Sequence, residues 1–114
     1  MDDNFQLFRE GTIIFDAGDL GSHAYLVQAG VVEIRAPDGS VIDTLGAGDF
    51  FGEMALVDTA PRSAQAVATK DTSCAIFSRE VVEDAINRSD FLVASLIRLL
   101  ARRLRRTVET QQAA

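Results

Sequence analysis

The sequence predicts a mainly β domain with flanking helices, in which short strands form a sandwich or a jelly-roll barrel. Two observations predict this fold. Between residues 11 and 78, short runs of β-branched and aromatic residues alternate with glycine, aspartate and proline. After Ser78, the apolar residues take up helical spacing instead. The length of 114 residues suits about one domain, and 47% hydrophobic with 25% charged residues is a globular composition.

The β part of the chain divides into six strand segments. They are residues 12–15, 24–27, 31–35, 41–45, 63–68 and 73–77. Pro37–Ser40 separates two of them and contains Asp38-Gly39, which tolerates the positive φ angles of tight turns. This turn predicts a hairpin. The last two segments, joined by residues 70–72, are expected to form another pair.

Two helices are predicted after the strands. Ser78 is a favourable N-cap for the first, which runs to Ile86 and has acidic residues in its early turns. Ser89 or Asp90 caps the second, which runs to about Val108. An apolar stripe follows this helix at Val93, Ile97, Leu100 and Leu104, with Leu92, Leu96 and Leu99 beside it. Either the stripe packs wholly on the barrel, or helix 91–108 pairs with a second copy to form a homodimer.

The charge of the chain is unevenly distributed. The net charge of −6 combines −10 over residues 1–90 with +4 over residues 91–114. An acidic body argues against nucleic acid as a partner, because that binding depends on neutralising phosphates. A small anion bound by the body would therefore need a concentrated local site.

Composition also excludes several classes of function. One histidine, His23, and one cysteine, Cys74, are too few for a zinc site or an internal disulfide, so no metal and no cofactor are expected. A metal-dependent jelly-roll enzyme needs clustered histidine and carboxylate ligands, and no catalytic residue is predicted. The longest apolar stretch, Phe91–Ile97, is well short of the ~20 residues that span a bilayer, and no signal peptide is evident. We expect a cytoplasmic protein that is not an enzyme.

The chemistry of the chain is concentrated in residues 48–64. Residues 51–56 read as one short helical turn, and Gly52 at its start exposes backbone N–H groups that can bind an anion. Arg62 is the single cation between Arg35 and Lys70. A guanidinium beside a helix start can hold a phosphate through two parallel hydrogen bonds.

Neighbouring residues add groups that suit a sugar. Glu53 can accept hydrogen bonds from a sugar hydroxyl, and the small side chains of Ser63 and Ala64 let the backbone approach a ligand closely. The Ser63 hydroxyl can donate a further bond. Together with Arg62, these groups describe a site for the sugar–phosphate end of a nucleotide.

These residues resemble the cyclic nucleotide-binding domain family, which includes kinase regulatory subunits, cyclic-nucleotide-gated channels and the catabolite activator protein. The matching text is Phe50–Leu56 with Ala60–Ala64, which corresponds to the family's phosphate-binding cassette. Further matches are Ile14-Phe15, Gly18-Asp19, Tyr25–Val27, Gly30, Val32–Ile34, Leu45–Phe50, Ala101–Leu104 and Thr107. The resemblance covers roughly residues 8–108.

The resemblance implies an eight-stranded double-stranded β-helix (jelly roll) with a short cassette helix and a long C-terminal helix, holding cAMP or cGMP. It implies a β-roll over residues 1–88, with its cassette at 48–64, and a C-terminal lid or dimerisation helix and tail over 89–114. The implied function is a regulatory sensor in which ligand binding repositions the C-terminal helix. The alternative is a scaffold of the same fold that binds no nucleotide and dimerises through that helix.

The resemblance also assigns roles to individual residues. Arg62 would bind the cyclic phosphate and Glu53 the ribose 2′-hydroxyl. Arg103 would approach Glu53 from the C-terminal helix, and Thr107 would reach the purine ring either of its own chain or across a dimer. The other ligand contacts it implies are Ile34 and Ile42 beside the base, and Gly52, Met54, Ala55, Ser63 and Ala64 in the cassette. Ser63 can bond the phosphate or a guanine amino group, so the choice between cAMP and cGMP stays open.

The chain departs from the family pattern at both ends. Little precedes the first expected strand, so the family's N-terminal helix is expected to be short or absent. The helix-turn-helix of the transcriptional branch is not found after the last helix, and no output domain is evident in the sequence.

Overall fold

The computed structural model of the protein describes residues 5–56 and 60–113, with the side chains of these residues except 105 and 107–113. The eight strands are β1 (Phe5–Phe8), β2 (Ile13–Phe15), β3 (His23–Ala29), β4 (Val32–Arg35), β5 (Val41–Leu45), β6 (Phe50–Phe51), β7 (Gln65–Ala68) and β8 (Thr72–Ser78). The helical elements are a 3₁₀ turn (Glu53–Leu56), which we call the cassette turn, and the helices α1 (Arg79–Arg88) and α2 (Phe91–Ala113).

The strands form two four-stranded antiparallel sheets. The first has the order β1-β8-β3-β6 and the second the order β2-β7-β4-β5. This arrangement confirms the predicted mainly β fold of jelly-roll type. The predicted hairpin is also confirmed, because β4 pairs with β5 and Gly39 in the turn has a φ of 91°.

The prediction that segments 63–68 and 73–77 pair with each other is wrong. β7 pairs with β2 and β4, whereas β8 pairs with β1 and β3 in the other sheet. The link between them crosses from one sheet to the other. It is held at the β3–β4 corner, where the Val31 N–H donates to the Thr72 hydroxyl at 3.2 Å and that hydroxyl donates to the Lys70 carbonyl at 2.7 Å.

Two strands were not predicted. β1 pairs along its whole length with β8, so the sheet begins before the first expected strand. β6 makes a two-residue pairing with β3 inside the segment expected to be helical. The helical turn is confirmed, but it begins at Glu53 rather than at Phe51.

The core lies between the two sheets. It contains the apolar side chains of Phe8, Val27, Val32, Phe51, Ala66, Ala68 and Cys74. An aromatic cluster borders it, in which the rings of Tyr25 and Phe51 stack with centroids 4.9 Å apart. The Phe15 ring lies 6.0 Å from that of Phe51. These rings form an aromatic wall beside the cassette turn.

The helices begin where the sequence predicts. The Ser78 hydroxyl accepts a hydrogen bond from the Val81 N–H at 3.2 Å, which confirms Ser78 as the N-cap of α1. Of the two candidate caps of α2, Asp90 accepts from the Leu92 N–H at 2.9 Å. α2 continues beyond the predicted end at Val108. Among the described residues, no helix is both long and apolar enough to cross a membrane.

The apolar stripe of α2 is not buried by the barrel. Among the residues of this helix whose side chains are described, Ala94 is the buried one, with 6% of its surface exposed. The stripe lies roughly a quarter of a turn away from Ala94, at 100° per residue. Its members keep between 38% and 54% of their surface exposed: Val93, Ile97, Leu100 and Leu104. In the single chain, the stripe therefore does not pack wholly on the barrel.

Candidate functional site

A cavity of about 480 Å³ lies between the cassette and the strands β4 and β5. Its volume is within the range of small-molecule sites in proteins. The structure brings most of the predicted site residues together around it, namely Ile34, Ile42, Gly52, Glu53, Met54, Ala55, Arg62, Ser63 and Ala64. The other described residues that line it are Phe15, Asp43, Leu45, Phe50, Phe51, Ala60 and Pro61.

Arg62 turns its guanidinium inward. Nη1 donates to the Gly52 carbonyl at 3.0 Å, and Nη2 donates to the His23 carbonyl at 2.8 Å. The guanidinium carbon lies 4.1 Å from the centre of the Phe15 ring, a cation–π distance. Nε is buried and has no hydrogen-bond partner among the described residues.

Burial lowers the pKa of Arg62 from its usual value, while the opposite charges of nearby acidic groups, including Glu53 and Asp19, act to raise it. Arginine remains protonated through the physiological range. The cavity therefore contains a permanent and partly desolvated positive charge.

Backbone hydrogen bonds hold Arg62 in place. Its N–H donates to the Asp19 carbonyl and its own carbonyl accepts from the Gly18 N–H, both at 2.8 Å. Gly18 has a φ of 92°, in the left-handed region that favours glycine. The turn before β3 thus fixes the backbone from which the guanidinium extends.

The cassette turn also depends on a glycine. Gly52 has a φ of 72°, and a Cβ there would lie 3.1 Å from Nη1 of Arg62 and 3.2 Å from the Tyr25 ring. At the other end of the turn, Nη2 of Arg79 donates to the Ala55 carbonyl at 2.5 Å, which ties the cassette to the start of α1. A 3₁₀ turn of four residues has a small dipole, so the guanidinium is the main positive group of the cavity.

The remaining groups surround this charge. Glu53 and Ser63 are exposed and line the cavity mouth. Ile34 and Ile42 provide an apolar wall on β4 and β5, where Ile42 keeps 61% of its surface exposed. The site thus combines a cation, an acceptor carboxylate, a hydroxyl and an apolar wall.

Two predicted residues do not lie among those that line the cavity. Arg103 is exposed on α2. Thr107 lies on the same helix, and its side chain is outside the described residues. Their roles toward Glu53 and the purine ring stay predictions.

Sequence reasoning missed three residues that hold the guanidinium. Phe15 was expected only as a strand residue, and its position under Arg62 depends on the way β2 meets the cassette. His23 begins β3 and contributes its backbone carbonyl, which carries no side-chain signal. Gly21 packs directly against the guanidinium, and a glycine in a turn-rich connector gives no indication of such a contact.

Comparison with known proteins identifies the family of the chain. The family model of the cyclic nucleotide-binding domain matches residues 5–89. The chain is 42% identical over 104 residues to the cyclic AMP receptor protein of Thermus thermophilus, covering 88% of this chain and 48% of that protein. It is 34% identical over 97 residues to a cAMP-dependent protein kinase regulatory subunit of Debaryomyces hansenii, covering 85% of this chain and 20% of that protein.

Two solved structures are also similar to this chain. The EAL enzyme Bd1971 in its half-site-occupied form aligns with a TM-score of 0.85 and 37% identity, over 90% of this chain and 96% of that chain. The cAMP-bound form of the same enzyme aligns with a TM-score of 0.70 and 34% identity, over 96% of this chain and 30% of that chain. The chain spans half or less of the length of the two curated relatives named above. It belongs to the cyclic nucleotide-binding domain family.

Proposed function

We propose that this chain is a regulatory module that binds cAMP or cGMP in the cavity and is not itself an enzyme. One observation carries the proposal. Among the described residues, Arg62 is the only cationic side chain that lines the cavity, and it lies there within an otherwise acidic body. A partly desolvated guanidinium is stabilised by an anionic partner, and the phosphodiester of a cyclic nucleotide supplies a single negative charge.

The hydrogen-bonding capacity of Arg62 suits this ligand. A guanidinium has five N–H donors, and the carbonyls of Gly52 and His23 each accept from one of its terminal nitrogens. Nε–H is buried, so the second N–H of each terminal nitrogen is the donor that remains for phosphate oxygens. Glu53 would accept a hydrogen bond from the ribose 2′-hydroxyl, and the wall of Ile34 and Ile42 would contact the base.

The choice between the two nucleotides is left open. Solved forms of the EAL enzyme Bd1971 are described as cAMP-bound and as cGMP-bound. Ser63 at the cavity mouth can donate to a phosphate oxygen or contact a guanine amino group. Parallel titration with both nucleotides decides between them.

The effect of binding would reach α2 through the back of the cassette. An apolar groove of about 600 Å³ lies there, and Leu56 of the cassette turn and Ile97 of α2 both line it. Phe50 and Glu53 line both this groove and the nucleotide cavity. A ligand that moves the cassette turn would change the packing of α2, provided that it binds the two positions of the helix with different affinity.

Calorimetric titration with cAMP and cGMP tests the proposal. The unaltered chain should bind at least one of them, and Arg62→Ala should weaken binding by about a hundredfold, since it removes a charge-assisted pair of hydrogen bonds. Arg88→Ala is the matched control, because Arg88 is exposed on α1 and pairs with Asp84 at 2.9 Å away from the cavity. Absence of binding heat and of any thermal shift with both nucleotides would refute the proposal.

A nucleotide analogue tests the role of Glu53. The unaltered chain should prefer cAMP to 2′-deoxy-cAMP, because only cAMP offers the hydroxyl that the carboxylate accepts from. Glu53→Ala should remove this preference. If Glu53→Ala still prefers cAMP, a group other than Glu53 recognises the ribose 2′-hydroxyl.

Hydrogen exchange tests the coupling to α2. A nucleotide concentration that just saturates the unaltered chain should change the protection of its α2 amides, and should have a much smaller effect on Arg62→Ala. Binding without any change in α2 would restrict the proposal to ligand binding alone.

The second candidate function is a scaffold that dimerises and binds no nucleotide, and the exposed stripe of α2 supports its dimerisation. The two candidates predict different behaviour of Arg62→Ala. A scaffold would be indifferent to this substitution and to both nucleotides, whereas a sensor would lose its ligand.

A further inference from the structure

Gly21 is a glycine that its backbone does not require. Six glycines of the described chain have positive φ angles, Gly18 and Gly52 among them, but Gly21 does not. The backbone at position 21 is therefore outside the left-handed region that favours glycine. The reason for a glycine there must lie in the space around it.

That space is occupied by the guanidinium of Arg62. A Cβ built on Gly21 would lie 2.6 Å from the guanidinium carbon, 2.5 Å from Nη2 and about as near to Nε. Side-chain atoms do not approach so closely, so one of the two groups would have to move. The guanidinium is at the end of a flexible side chain, whereas the backbone of Arg62 is held by the turn at Gly18 and Asp19. The guanidinium would be displaced, and the fold would remain.

We propose that Gly21 is a positioning residue for the anion site: its missing side chain provides the space in which Arg62 directs its guanidinium into the cavity. The inference rests on the proposed function, because Gly21 would set the orientation of the guanidinium that binds the phosphate. The two carbonyl bonds and the Phe15 ring hold the guanidinium in that space. None of them can be kept unchanged if a methyl group enters it.

Gly21→Ala tests the proposal, with Gly46→Ala as the matched control. A Cβ on Gly46 would meet no atom within 4 Å, and Gly46 has no positive φ either. We expect Gly21→Ala to weaken cyclic-nucleotide binding by about tenfold or more, with little change in melting temperature. Gly46→Ala should change neither quantity. Unchanged affinity in Gly21→Ala would overturn the proposal. So would a loss of binding that is fully explained by a smaller fraction of folded protein.

A second readout does not depend on nucleotide binding. The Nε–H of Arg62 is buried in the ligand-free chain, so its proton should exchange slowly with solvent and give a resolved resonance. Gly21→Ala should accelerate this exchange at least about tenfold, and Gly46→Ala should not. If the unaltered chain binds neither nucleotide, the proposed function fails, while the exchange of this proton still decides the role of Gly21. Exchange equal to that of the unaltered chain would show that the guanidinium has not moved.

Discussion

The positive charge of Arg62 lies inside the domain, whereas that of Arg88 lies on the surface of α1, with 78% of its side chain exposed. An exposed pair such as Arg88 with Asp84 contributes little, because water screens it. The guanidinium of Arg62 has lost part of its hydration and is compensated by two carbonyl dipoles. It therefore gains more from an anionic ligand than a surface arginine would.

Cys74 gives a prediction for the pH dependence of stability. The thiol is buried in the core, and burial raises its pKa to about 11 from an ordinary value of 9.0. The folded chain holds this proton more tightly than the unfolded chain does. The stabilisation is therefore complete below pH 9 and is lost as the pH rises toward 11, by about 2 kcal/mol.

Urea unfolding of the unaltered chain and of Cys74→Ala, at pH 8 and at pH 11, measures this contribution. The stability difference between the two chains should change by about 2 kcal/mol over this interval, because the alanine variant has no thiol to ionise. A constant difference would mean that the thiol is more hydrated than its burial indicates.

Sequence reasoning identified the charged side chains that line the cavity. Arg62 and Glu53 carry charges at a recognisable spacing, and both line the cavity. Gly21 and His23 act through an absent side chain and a backbone carbonyl, so residue type alone could not identify them. Their contribution follows from the three-dimensional path of the turn before β3.

At the scale of elements, local signals predicted some features and failed for others. The Ser78 cap and the hairpin at Gly39 are determined by residues close in the chain, and both are present. The partner of β7 is set by contacts across the barrel, and a three-residue link to β8 gave a false indication of a hairpin. The two-residue strand β6 is too short to leave a pattern.

The stripe of α2 gives a prediction at this scale. If it pairs two copies of the chain, Leu100→Gln should weaken self-association by at least about tenfold, because the leucine would then be buried in both copies. Leu20→Gln is the control, since Leu20 is also apolar and is 81% exposed, but lies in the connector before β3. Sedimentation at several protein concentrations measures the effect. A monomer at every concentration of the unaltered chain would exclude the dimer.

At the scale of the whole molecule, the net charge of −6 opposes the approach of an anionic ligand. This repulsion acts at long range and is screened by salt, with a Debye length of about 30 Å at 0.01 M and about 8 Å at 0.15 M. The attraction to Arg62 acts at short range in a partly buried site and is screened less.

We therefore expect the association rate constant for cAMP to rise with ionic strength between these limits. Stopped-flow mixing with a fluorescent cAMP analogue measures this rate. The fluorophore must be uncharged, so that the analogue has the same charge as cAMP. The Arg88→Ala variant measures how the loss of one surface charge changes the association rate. A rate that falls with salt would mean that the local field of Arg62 dominates beyond the cavity mouth.

The cassette contains β6 of one sheet and leads to β7 of the other, and Arg62 lies on the path between these strands. The lining of the cavity likewise comes from both layers, with Phe51 on one side and Ile34 on the other. A molecule held between them would oppose shear of one layer across the other. The two sheets should then move less relative to each other while the cavity is occupied than while it is empty.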